Sequence, residues 1–134
     1  MKLKELIAVS GLPGLFKMAG SRANGIIIED LDTGKRKFVP SRKHQFSPLE
    51  TISIFTMNDS ESLLDVLRKM HVMKEDLPIV PAKSSNDQLR SYFTQILPEH
   101  DSDRVFPRDI QKIIKWYDFL HTRQLLDKIS DEEE

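Results

Sequence analysis

The chain has no cysteine. Disulfides, zinc–thiolate centres and cysteine nucleophiles are therefore excluded. No stretch approaches the roughly 20 apolar residues that a membrane-spanning helix needs. The opening MKLKELIAVSG carries two lysines and a short apolar stretch broken by Glu5, too little for a signal-peptide core. The expectation is a cytoplasmic protein that does not engage a membrane. A large excess of one charge is also missing, the net charge being −1. With 39% apolar and 31% charged residues, the composition is that of a globular chain rather than a disordered one.

The near-neutral total conceals two unlike halves. Residues 1–56 hold nine Lys/Arg and five Asp/Glu, and residues 57–134 hold eleven and sixteen. A basic front and an acidic back suggest two modules, or two halves that attract each other. The hydrophobic period changes at the same place. Leu3, Leu6 and Ile7 have helical spacing, so a short helix is expected to open the chain and to end at Gly11 and Pro13. Strands are then expected at LFKMAGS, IIIEDL, KRKFVPSRKH and ETISIFT. Asn24-Gly25 and DTG at 32–34 supply the turns, Asn24-Gly25 through its tolerance of positive φ. Pro40 makes the third strand an edge or ends it.

Beyond residue 57 the spacing is helical. Ser62/Asp65 and Ser85/Gln88 read as capping boxes, and Pro107 suits the first turn of a long helix over 107–126. The expected apolar faces are Leu63, Val66, Leu67 and Met70, then Leu89, Tyr92, Phe93 and Ile96, then Ile110, Ile113, Ile114, Tyr117 and Leu120. SDEEE at 130–134 reads as a frayed acidic tail. The expected fold class is α+β, a small SH3-like antiparallel β-barrel over residues 1–57 followed by a three-helix bundle over 58–134. Each half is small, so the two are expected to pack together.

Motifs of catalysis are wanting. SGLPGLFK at 10–17 has only two residues between its glycines and no Lys-Ser/Thr after them, so it is no P-loop. It also lacks the strand-before, helix-after setting of a dinucleotide fingerprint. Gly11 is read as a helix cap and Pro13-Gly14 as a turn into the first strand. His44, His71, His100 and His121 lack metal spacing. EHDSD at 99–103 gathers three carboxylates and a histidine but fails the calcium-loop pattern, and Asp103 is read as a cap or as a partner of Arg104. No enzyme, cofactor or metal is expected.

Two features point to binding. GKRKFVPSRKH at 34–44 holds Lys35, Arg36, Lys37, Arg42 and Lys43 around Phe38, with no acid. Cations interleaved with an aromatic suit phosphate contacts and base stacking; lysines also guard exposed strand edges. In the last helix Trp116 and Phe119 lie off the apolar face, beside Arg108, Lys112 and Lys115. These rings either bury against a neighbour or form a contact surface. The expected partner is therefore nucleic acid, RNA in particular, or another protein.

Three stretches carry a resemblance over nearly the whole chain: LKELIAVSGLPGLFKM; NGIIIEDLDTGKRKFVP leading to LETISIFT; and LPEHDSDRVFPRDIQKIIKWYDFL. The chain resembles a family of small bacterial proteins, typical of the Bacteroidetes, known only as domains of unknown function. The resemblance implies an SH3-like N-terminal domain and a helical C-terminal domain, and it brings no catalytic residue.

Overall fold

A computed structural model describes residues 5–126. The tail at 130–134 lies outside them. The chain divides between Ile52 and Ser53 into two compact units.

The first unit is one antiparallel sheet of β1 (Leu6–Val9), β2 (Phe16–Arg22), β3 (Gly25–Glu29), β4 (Arg36–Pro40) and β5 (Phe46–Pro48). Its order is β4-β3-β2-β1-β5. The sheet is open, with β4 and β5 as its two edges, which corrects the expected barrel. The opening segment is a strand and not a helix. It lies between two neighbours, with Ile7 opposite both Phe16 and Pro48, and Leu6, Ile7 and Val9 are all buried. An apolar run of four residues carries no decisive period, and pairing on both sides settles it as strand. Ile7, Val9, Ile26, Ile28 and Val39 form the core of the sheet, with Leu12, Phe16 and Phe46 packed against them. Each fully buried side chain of this kind contributes about 1.5–3 kcal/mol.

The turns differ from expectation in their chemistry. Gly11 caps no helix. Gly11 and Gly14 both take φ of +82° in the turn from β1 to β2, a conformation that glycine adopts without strain. Ala23-Asn24 forms the two-residue link from β2 to β3, yet neither Asn24 nor Gly25 has a positive φ. The Asn24 carbonyl accepts bonds from the Ser41 N–H at 2.9 Å and its hydroxyl at 3.2 Å, which brace the turn from the end of β4. Gly25 is required for space: a Cβ there would collide with the Val39 carbonyl oxygen and stand 2.8 Å from the Phe38 ring.

The second unit opens with a hairpin, β6 (Ser53–Phe55) and β7 (Ser60–Ser62), a separate two-stranded sheet. The expected fourth strand, ETISIFT, thus pairs forward with β7, and the fifth strand of the main sheet is β5. Helices α1 (Leu63–Val72), α2 (Asn86–Ile96) and α3 (Pro107–Thr122) follow, with α2 packed on both α1 and α3. Their expected apolar faces are all buried. Ser85 and Gln88 form a full capping box. Ser62 accepts from the Asp65 N–H, while the Asp65 carboxylate pairs with Arg68 at 3.1 Å. The last helix stops short of 126. Gln124 takes φ of +58°, its N–H bonds to the His121 carbonyl, and the Leu125 N–H bonds to the Leu120 carbonyl. That is a Schellman closure, which satisfies the last carbonyls and turns the chain away.

Tyr92 is 2% exposed, and its hydroxyl has no hydrogen-bond partner among the described residues. Burial pushes the phenol pKa up, with Tyr117 and Asp118 adding to the effect. A buried hydroxyl without a partner opposes folding, so Tyr92→Phe is expected to leave stability unchanged or raise it by up to about 1 kcal/mol. Thermal unfolding checks this, and a clear loss would reveal a partner for the hydroxyl.

Candidate nucleic-acid interface

Strand alternation distributes the cations of residues 35–43. On β4, Val39 faces the core opposite Ile26, and Lys37 lies on the same side opposite Ile28. Arg36 and Phe38 point the other way, opposite Glu29 and Ile27. Lys35 sits in the turn before the strand, where its N–H donates to the Thr33 hydroxyl. Arg42 and Lys43 lie in the turn after it. All five are exposed, so they line the free edge of the sheet on both faces and around both ends of β4. Arg36 pairs with Glu29 at 3.0 Å, with its side chain 66% exposed. Among the described residues Lys35, Lys37, Arg42 and Lys43 form no ion pair.

The same outward face holds two cations that the linear sequence does not join to the run. Arg22 lies opposite Gly25, and Lys17 opposite Glu29. Lys17 reaches that position through a bulge between Met18 and Gly20. A regular ladder counted from the Arg22–Gly25 pair would have put Met18 there instead. The two-residue turn was signal enough to find Arg22; nothing in the sequence marks the bulge.

In the second unit, Lys112, Lys115, Trp116 and Phe119 share one stripe of α3, three and four residues apart. Both lysines are exposed and both rings are half-buried. The Lys112 ammonium sits 5.9 Å from the Trp116 ring centroid, and the Arg123 guanidinium lies 3.6 Å over Phe119. Arg108, one turn before Lys112 on the same stripe, stacks at 5.3 Å on Phe106.

EHDSD proves to be scaffolding. Asp101, and not Asp103, takes the structural role: it accepts from the Arg104 guanidinium at 2.9 Å and from the Asp103 N–H at 3.0 Å. Those bonds hold its carboxyl below the usual range, the arginine foremost. The cap on α3 comes from Asp109, which accepts from the Phe106 N–H at 2.9 Å. His100 is buried, its Nδ1 donating to the Leu97 carbonyl at 2.7 Å, and its backbone forms an isolated antiparallel β-bridge with Thr56, just after β6. Among the described residues no group of three or more His, Asp or Glu could hold a metal ion. Nor is any described helix long and apolar enough to cross a membrane.

Residues 3–49 match the family described as Domain of unknown function (DUF5606). Residues 52–120 match the family described as Domain of unknown function (DUF6852). The chain belongs to the DUF6852 family. A solution NMR structure from Bacteroides vulgatus is similar to this DUF6852 chain at 33% identity and a TM-score of 0.69, over 92% of this chain and 88% of that one. These likenesses bear out the Bacteroidetes-type family read from the sequence. No curated protein matches. The boundary between the two family matches falls close to the division between the two units.

Proposed function

We propose that this DUF6852 protein is a non-enzymatic cytoplasmic module that binds nucleic acid, RNA in particular, along the β4 edge of its first unit. One observation carries the reading. Four cations, Lys35, Lys37, Arg42 and Lys43, stand exposed along one sheet edge without a carboxylate partner among the described residues. Charges on an exposed edge deter pairing with another strand; a row of cations also matches a phosphate backbone. The SH3-like likeness of the first unit belongs to the same reading. It rests on the short antiparallel strands, and since such modules bind peptides and proteins as well as RNA, it is an analogy of fold only.

A phosphate interface predicts a steep salt dependence. With four or five phosphates engaged on a single strand, the logarithm of affinity should fall with the logarithm of salt at a slope of about −3. Fluorescence anisotropy with a labelled RNA measures it. A flat salt response, or no retention of RNA, overturns the reading. The half-exposed Trp116 and Phe119 rings favour a second reading, association with another protein through α3. Affinity purification with and without nuclease separates the two, since a protein contact through these rings survives both nuclease and salt.

A further inference from the structure

We propose that the outward face of β2, β3 and β4 is a stacking platform for unpaired bases, so that the edge selects single-stranded nucleic acid over duplex. This deepens the nucleic-acid reading above and rests on it.

On β3 and β4 the core-facing positions Ile26, Ile28 and Val39 are buried; on β1 the outward-facing Leu6, opposite Lys17, is buried as well. The face of β2, β3 and β4 opposite the core should then be polar. Its two ends are, with Arg36, Glu29 and Lys17 at one and Arg22 at the other; its middle is not. Phe38 stands there 42% exposed, with the half-buried Ile27 opposite it. Two glycines shape the surface around them. Gly25 leaves room for the Phe38 ring, two of whose carbons lie 2.8 and 3.0 Å from where a Cβ would be. Gly20, opposite Ile27, presents no side chain at all. The result is an apolar patch of Phe38 and Ile27 across β4 and β3, with the Arg22 guanidinium reaching over Gly20 on β2.

Cations border this patch. Arg36 and Lys17 flank Glu29 at one end, and Arg22 lies opposite Gly25 at the other. The Arg22 guanidinium is held along its strand by a 2.9 Å bond to the Ser21 carbonyl. Three positive groups against one carboxylate suit a polyanion. A flat aromatic surface suits the exposed π-face of a base. A duplex buries those faces in its stack, and its major groove, about 12 Å wide, admits a helix or a two-stranded ribbon rather than the breadth of a sheet. Only an unpaired strand can place phosphates on the rim and bases on Phe38 together.

The test uses the full chain and a fluorescein-labelled strand of mixed sequence, alone and annealed to its complement. The single strand is expected to bind about tenfold tighter than the duplex. Phe38→Ala should lower single-strand affinity by about tenfold and leave duplex affinity unchanged. Phe38→Trp, which keeps a larger stacking surface, should retain single-strand binding and guards against a folding artefact in the alanine variant. Equal affinity for both probes, with neither variant differing from wild type, overturns the platform while leaving the phosphate-binding edge standing. Absence of binding to either probe overturns both.

Discussion

Replacing Lys35, Arg36, Lys37, Arg42 and Lys43 together by glutamate is expected to lower affinity for RNA by at least about a hundredfold and to flatten its salt dependence. Each cation that neutralises a phosphate releases condensed counterions, so removing one reduces the salt slope on a single strand by about 0.7. Five reversals remove that term and add repulsion. Four of the five sites are free of ion pairs among the described residues, so their replacement leaves the fold unstrained. Arg36 differs. It faces Glu29 across the ladder, and a glutamate there would set two like charges opposite each other, destabilising the sheet by up to about 1 kcal/mol. A companion variant with Arg36→Gln and the other four reversed removes that complication. Anisotropy titrations on both variants, with circular dichroism to confirm folding, decide the matter. Wild-type RNA retention by the companion variant would sink the phosphate-binding edge.

Gly25→Val is expected to cost about 3 kcal/mol or more. The first Cβ already collides with the Val39 carbonyl oxygen, a backbone atom whose position is fixed because β4 is hydrogen-bonded along its length to β3. The Phe38 ring closes the other side. A unit of this size has few kcal/mol in reserve, so thermal unfolding should show the first unit largely unfolded at ordinary temperature. Gly20→Ala is the matched control. Its Cβ would meet Ile27 and Arg22 side chains at 3.6–3.8 Å, ordinary contact distances, and stability should change by no more than about 1 kcal/mol. Equal tolerance at the two positions would contradict the crowding at Gly25.

The helical unit was legible because its signals are local. Ser85 and Gln88 cap a helix within four residues, and the apolar positions of α3 repeat at a period that sequence displays directly. The sheet was legible only in part. Leu6 and Ile7 read equally as helix or as a doubly covered strand, and what decides between them, β5, lies some 35 residues away, as the Gln45 N–H bond to the Ser10 hydroxyl shows. Phe46–Pro48 offers three residues and no β-branched side chain, so nothing marked it as a strand. The cationic run was visible as a run; its division between two faces, and its union with Lys17 and Arg22, depend on register and on one bulge. Cross-strand geometry is non-local, and a linear pattern does not record it.

The strand order also carries a kinetic consequence. From β1 to β4 every neighbour in the sheet is a neighbour in sequence, so those pairings close short loops. The β1–β5 pair alone must bring Val9 to Phe46, and it is locked at the same corner by the His44 ring against the Ser10 carbonyl at 2.7 Å. Closing that larger loop costs more entropy before any contact repays it. The meander is therefore expected to assemble first and β5 to dock last.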